Sequence, residues 1–334
     1  MTCNYNINEV LRTDYMDIIS VFTKFKTQQD CIKHLENVRW SGVPKCPYCG
    51  STRATKVKDD KHYHCGACNK QYSVTVKTIF HDTKLPLQTW FVAIAIITNA
   101  KKGVSSLQLA RDLKINQKTA WRIGVQIRKF MEDTEQFELM TKTVKIDECY
   151  IGGKKKKGDK KDDDNDSASG GVIDDCIPDF DENGEKIEVK TSQFKRGRGT
   201  DKQGVIGIIE RETGRVVAKK QDKFAFQDLK AFAKKFVDFE KSTLYSDDFT
   251  GYKPFRKITT HDSVNHSKGE YVKNGIIHTN TIEGFLGLFK RSFVGSFHKL
   301  SIKHLDSYIQ ECCWKYNNRD CDMFNMIVAN GVRN

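Results

Sequence analysis

VKIDECYIGG, residues 144–153, decides how the second half of this 334-residue chain is read. Val144 and Ile146 alternate with Lys145, the period-two pattern of a strand. Asp147 is therefore expected to follow a strand. Downstream, VIGII (205–209) and RVVA (215–218) read as further short strands, and Leu229, Phe232, Ala233 and Phe236 fall at the spacing of an amphipathic helix. Leu244 and Tyr245 make another short strand ending in Asp247-Asp248. Ile282, Phe285, Leu286, Phe289 and Phe293 mark a helix, and residues 301–317 a last one. Strands first, then strand and helix in alternation, predict an α/β catalytic-type domain over residues 143–322. Residues 154–201 interrupt it with a charged, low-complexity run of 11 bases and 13 acids. Such a composition cannot bury a core, so the segment is expected to be a flexible insertion. The other reading makes it a basic arm touching DNA backbone through Lys154–Lys157 or Arg196 and Arg198.

Upstream the character changes. Residues 14–38 look helical, residues 40–80 carry two cysteine pairs beside Gly and Pro, and residues 86–133 look helical again, broken at Lys101-Lys102-Gly103. The longest apolar run, residues 90–97, has 8 residues, whereas a membrane-spanning helix needs roughly 20. MTCNYNINEV holds no apolar stretch of signal-peptide type. Membrane and secreted classes are thus not expected. The formal net charge is +13, which favours a polyanionic partner, although a solubilising surface explains charge alone equally well. Eleven cysteines in a chain of this length read as thiols and metal ligands, not as a disulfide scaffold.

Cys46-x2-Cys49, fifteen residues, then Cys65-x2-Cys68 is the strongest local signal. Two short knuckles at that separation can place four thiolates around one Zn²⁺. Four protein ligands close the shell, so this zinc is expected to be structural. Ser105-x-x-Gln108 opens a helix as a capping box, Lys114-Ile115-Asn116 forms a turn, and Asn116 caps a second helix. That helix presents Gln117, Lys118, Thr119 and Arg122 outward, side chains suited to base edges and phosphates at the start of a recognition helix. Ala120, Ile123 and Ile127 are expected to face inward. An ordinary helical pair is the plainer reading.

The third constellation is acidic. Asp147, Asp247 in LYSDDFTGY and Glu283 in HTNTIEGFLGLFKRS stand at two strand ends and near a helix start. Carboxylates so placed can converge on two divalent cations about 3.5–4 Å apart. Mg²⁺ (or Mn²⁺) suits them because it takes oxygen ligands and retains water and phosphate oxygens. Taken singly, Asn280-x-x-Glu283 also reads as a capping-box variant and Asp247-Asp248 as a polar strand end.

The order of cysteine pairs, helix-turn-helix, Asp147-Glu148 before Tyr150 and Gly152-Gly153, and His278-x-Asn280-x-x-Glu283 with Lys290 seven residues on resembles a known family. Gly295, His298, His304-Leu305, Tyr308, Glu311 and Asn317-x-Arg319 continue the pattern. It is that of the DDE transposases of Merlin-type elements and their bacterial insertion-sequence relatives, over roughly residues 20–320 outside the insertion. The resemblance implies a ribonuclease-H-like catalytic domain preceded by a zinc ribbon and a helix-turn-helix, and cut-and-paste DNA chemistry. Asp147, Asp247 and Glu283 would hold two Mg²⁺ per active site. Asn280 competes with Glu283 for the third position. Lys290 would point at DNA near the scissile phosphate, or else is a solvated helix lysine. The partners implied are double-stranded terminal inverted repeats and target DNA. Two DNA ends call for a homodimer or higher assembly. The location is wherever the DNA is, nucleus or bacterial nucleoid. Other readings of the same motifs are a domesticated DNA-binding regulator and a non-transposing nuclease of the same fold.

Overall fold

The computed structural model describes residues 16–133, 138–152, 202–264, 278–298 and 300–332, so the insertion expected at 154–201 lies outside the described residues. The chain forms two compact units, Met1–Glu135 with Asn318–Asn334, and Gln136–Asn317.

In the first unit the N-terminal helical stretch is two helices, α1 (Ile18–Lys24) and α2 (Gln28–Trp40). The break has a local cause. The Thr27 hydroxyl accepts from the Asp30 amide at 3.2 Å while the Asp30 carboxylate accepts from the Thr27 amide at 2.8 Å. This reciprocal capping box starts a new helix three residues after the old one ends. Strands β1 (Ala54–Lys56), β2 (His62–Cys65) and β3 (Gln71–Ser73) make a small antiparallel sheet. Helix α3 (Leu87–Asn99) carries the long apolar run and is buried on nearly every face. Helices α4 (Ser106–Leu113) and α5 (Gln117–Asp133) meet through a turn in which Lys114 is left-handed. The last helix in the chain, α9 (Met323–Val332), packs on α2, α3 and α5. Phe91 stands edge-on to Phe25 at 4.8 Å and to Phe324 at 5.6 Å, locking the helices together.

The second unit is built on five strands: β4 (Thr143–Ile151), β5 (Gln203–Glu210), β6 (Val216–Gln221), β7 (Thr243–Asp247) and β8 (Thr260–Val264). Their order across the sheet is β6-β5-β4-β7-β8. Strands β4, β5 and β6 pair antiparallel, with Ile151 opposite Gln203 and Ile209 opposite Val216, whereas β4, β7 and β8 pair parallel. The second strand of the domain thus runs against the other four. This order and these directions are those of the ribonuclease-H-like fold. Helix α6 (Phe226–Ala233) covers one face, joining Val144 and Ile146 in one core. Helices α7 (Asn280–Ser292) and α8 (Leu305–Asn317) cover the other, over Cys149 and Ile151. With both faces covered, the alternation in β4 separates two cores, not core from solvent.

Asp147 does not follow its strand, as the sequence suggested, but sits in the middle of it, because β5 continues to pair as far as Ile151. Its register partner on β5 is Gly207. A Cβ at Gly207 would lie 3.0 Å from Ile282 Cδ1 and 3.4 Å from Leu286 Cδ2, so the missing side chain is what lets α7 seat close to the sheet. Gly207→Val is therefore expected to destabilise the unit by about 1–3 kcal/mol through overpacking. Urea unfolding checks this, and an unchanged midpoint would contradict the tight seating of α7.

Candidate active site

Strands β4 and β7 pair only from Thr143–Thr243 to Lys145–Tyr245, then part. Beyond that point come Asp147 on β4 and Asp247 at the end of β7. In open α/β sheets this crevice, past the carboxyl ends of parallel strands, is where ligands bind. One oxygen each from Asp147, Glu148 and Asp247 lie within 4.8 Å of one another. The backbone fixes the two aspartates locally. Asp147 Oδ1 accepts from the Glu148 amide at 2.8 Å, and Asp247 Oδ1 from the Phe249 amide at 3.2 Å. Behind Asp247, the buried Ser246 hydroxyl donates to the Asp247 carbonyl at 2.7 Å and meets His261 Nε2 at 2.9 Å. Burial holds His261 down to about 4, so its ring is neutral.

Glu148 was not singled out as a site residue by the sequence, yet the fold puts it in this trio. Its partner explains why. The Tyr252 hydroxyl, fully buried, donates to Glu148 Oε2 at 2.5 Å across 104 positions of sequence, a contact that no local pattern announces. Burial pushes the Asp147 carboxyl up to about 8, and the charges of Glu148, Asp247 and Glu283 add to the push. Carboxylates so crowded call for a cation. The donors are all hard oxygens, the chemistry of Mg²⁺ or Mn²⁺.

Glu283 stands outside the tight trio. It lies in the first turn of α7, is exposed, and accepts a hydrogen bond from the Thr279 hydroxyl. Asn280, the first residue of α7, is exposed one turn before it. Lys290 is exposed in the last turn of the same helix. Burial drives the Cys149 thiol up to about 12 while the charge of Lys290 works the other way. Lys145, two residues before Asp147 and on the same face, is fully buried. Its Nζ donates to Thr281 Oγ1 at 2.8 Å and His278 Nδ1 at 3.2 Å.

The cysteines form a second centre. Cys46 and Cys68 Sγ lie 3.6 Å apart, Cys49 and Cys65 Sγ 3.5 Å, and all four sulfurs fall within 4.8 Å of one another. A tetrahedron of thiolates at 2.3 Å from Zn²⁺ has edges of about 3.8 Å, so the set fits a structural zinc. The two knuckles are built alike. The Gly50 amide donates to the Cys46 carbonyl and the Asn69 amide to the Cys65 carbonyl, each at 2.9 Å. Gly50 (φ 74°) and Asn69 (φ 57°) both take the left-handed turn that brings the chain back, with Asn serving where Gly is usual. N–H groups of Cys68 and Ala67 hold the Cys65 thiol down to about 6, whereas burial pushes the Cys68 thiol up to about 12. His62 pairs with Asp59 and His64 with Asn69, so neither ring is committed to the sulfurs.

On the helical pair, Asn116 Oδ1 accepts from the Lys118 amide at 2.8 Å and starts α5. The Ser105 hydroxyl accepts from the Gln108 amide at 3.1 Å, but the Gln108 side chain turns to Asp112, so the capping box is half formed. Gln117, Lys118 and Arg122 are exposed, Thr119 is half-buried, and Ala120, Ile123 and Ile127 are buried. Trp121, 43% exposed, lies on the same outer face and was not picked out from sequence.

Comparison with known proteins gives two domain matches. A transposase zinc-ribbon domain matches residues 26–71, and an ISXO2-like transposase domain matches residues 182–317, a span holding Asp247, Asn280, Glu283 and Lys290. An uncharacterized protein in transposable element ISH50 of Halobacterium salinarum is 27% identical over 280 residues, 80% of this chain and 83% of the relative. Two solved Mos1 transposase assemblies match loosely. The paired-end complex with left transposon end has TM-score 0.24 and 8% identity over 72% of this chain and 78% of that one. The pre-cleavage transpososome has TM-score 0.24 and 10% identity over 94% and 96%. The ribonuclease-H-like assignment rests on strand order and direction instead. With its four clustered cysteines, its carboxylates at the parting of β4 and β7, and both matches, the chain carries a transposase zinc-ribbon domain and an ISXO2-like transposase domain.

Proposed function

We propose that the protein binds the terminal inverted repeats of its element as double-stranded DNA and carries out metal-dependent cleavage and strand transfer. One observation carries the reading: Asp147, Glu148 and Asp247 converge where β4 and β7 part, with Glu283 close by on α7. Asp147, Asp247 and Glu283 would hold two Mg²⁺ or Mn²⁺, with Glu148 oriented by Tyr252 beside them. When bound, such ions lower the pKa of an attacking water or hydroxyl and stabilise the leaving oxygen of an in-line displacement. The chain's own task is positioning and charge neutralisation. It needs no protein nucleophile. Lys290 adds positive charge near the strand that bears Asp147, where a DNA phosphate would lie. Asn280, one turn before Glu283, is the other candidate for the third position.

The ribbon and the α4–α5 helix-turn-helix would hold the repeats, phosphate contacts setting register and base contacts choosing sequence. Two ends must be handled, so the working form is a dimer or larger on DNA, and the protein acts wherever that DNA resides. Among the described residues no helix is long and apolar enough to cross a membrane. A strand-transfer assay with the element's own ends and Mg²⁺ tests the whole reading, and ends bound but neither cut nor joined would refute it.

Two substitutions on α5 should act through different terms. If Arg122 or Lys118 reads a base, its change to Ala costs about 1–3 kcal/mol and relaxes preference at one position; if it holds a phosphate, all sequences weaken alike and the salt slope falls by about one. At least one residue from Gln117 to Arg122 is expected to be of the first kind. Competition binding with repeat and scrambled DNA at two salt concentrations decides it. Equal weakening on both DNAs for every variant would make this helix a backbone clamp.

A further inference from the structure

We propose that Lys145 is a positioning residue for the divalent-metal site: its side chain ties the start of α7 to the catalytic strand and so sets where Glu283 stands. This rests on the reading of Asp147, Asp247 and Glu283 as metal ligands.

Lys145 is fully buried, an unusual place for a lysine. An apolar side chain would fill the same volume without the cost of taking an ammonium out of water. Stability alone therefore gives no reason to keep it. Its geometry does. From the middle of β4 the Nζ reaches His278 and Thr281, which bracket the first residues of α7, at sequence separations of 133 and 136. His278 can accept at Nδ1 because burial, Lys145 and Arg211 all disfavour its protonation. The two acceptors hold the helix start on both sides of Asn280, and one turn later comes Glu283, itself gripped by Thr279. Two residues along β4 on the same face stands Asp147. One side chain thus fixes the distance between the strand carboxylate and the helix carboxylate. The charges facing Lys145 are Arg211, Glu212 and Glu283, with the Arg211 guanidinium 5.5 Å from the ring centre of Tyr245, the register partner of Lys145 on β7.

A buried cation that acted only through charge would oppose metal binding, so its removal would tighten it. A tether predicts the reverse. Mn²⁺ binding to the full chain, followed by electron paramagnetic resonance, separates the two. Lys145→Met is expected to weaken binding about tenfold, the low end of the effect of residues that orient metal ligands. Thr281→Val, which loses one tether bond without changing charge, should weaken it in the same direction, and Lys145→Arg should recover part of the loss. In a Glu283→Gln background Lys145→Met should add nothing. Hydrogen exchange of the amides from Ile282 to Glu283 should quicken in both Lys145→Met and Thr281→Val. Tighter or unchanged Mn²⁺ binding in Lys145→Met, equal further weakening in the Glu283→Gln background, or unchanged exchange at the α7 start would each overturn the tether. Wild-type Mn²⁺ affinity in Glu283→Gln alone, with exchange still quickened in Lys145→Met, would instead remove Glu283 from the metal site and leave the tether as a fact of the helix start.

Discussion

Asp147→Asn and Asp247→Asn are each expected to lower Mg²⁺-dependent cleavage of terminal-repeat DNA by a factor on the order of 10²–10³ or more, the scale of losing one preorganised electrostatic group. Repeat binding should remain, since the side-chain volume is kept and the substitutions lie in the unit Gln136–Asn317, whereas the ribbon and α5 belong to the other unit. Fold stability should move the other way. Three carboxylates within 4.8 Å repel one another when no cation is bound, and an amide at either position relieves that repulsion. In excess chelator both variants are therefore expected to melt no lower than wild type. Cleavage assays beside melting curves make the check. Full activity in either variant would exclude that residue from the site, and a lower melting temperature in chelator would mean that the carboxylate is paired with something other than metal.

Cys46→Ser or Cys68→Ser is expected to lose the bound zinc and unfold the ribbon. Structural zinc contributes about 10–16 kcal/mol in small zinc-finger peptides, far more than a three-stranded sheet of ten residues can supply by packing. The damage should extend to α2. Trp40 stands edge-on to Tyr63 at 5.2 Å and to Tyr72 at 6.0 Å, the Tyr63 hydroxyl donates to Glu36, and Arg39 donates to the Val74 carbonyl. Losing the ribbon strips all of these at once. Metal analysis and near-ultraviolet circular dichroism should show zinc and aromatic asymmetry falling together. Wild-type protein purified without zinc, yet fully folded, would refute the centre.

What could be read from sequence was what is local. Each Cys-x2-Cys knuckle, the Asn116 cap and the successive members of the stripe from Ile282 to Phe293 involve neighbours within about one turn of each other, and the fold follows them. Thr27-x-x-Asp30 was equally local and would have divided the N-terminal helical stretch had it been read as a capping box. Where the sequence misled, the deciding partner lay far away. Gly152-Gly153 marks the end of the strand as a chain segment, but the end that matters for Asp147 is where β7 leaves it, and that is set by a strand about a hundred residues on. Lys145 was read only as the polar member of an alternating strand, because the pattern cannot say that α7 covers its face. Glu148 needed Tyr252, and Tyr252 is remote. α9 was missed although Phe324, Ile327, Val328 and Val332 fall at helical spacing, because Gly331 stands at the one position of that stripe where an apolar side chain would complete it.

The pairing of Ile151 with Gln203 also sets an order of events in time. In the unfolded chain β5 and β6 are close neighbours and can zip as a local hairpin, Ile209 to Val216. Joining β4 to β5 means closing a loop of about fifty residues, and compared with a four-residue connection the added entropy is about 2 kcal/mol. The strand that bears Asp147 is thus recruited late, onto a hairpin already made, and its contact with β7 comes from still further along the chain. Nascent or partly folded protein would hold its ribbon and its β5–β6 hairpin before it holds a pair of facing aspartates. The capacity to bind an ion, and with it the capacity to cut DNA, arrives as one of the last steps of folding.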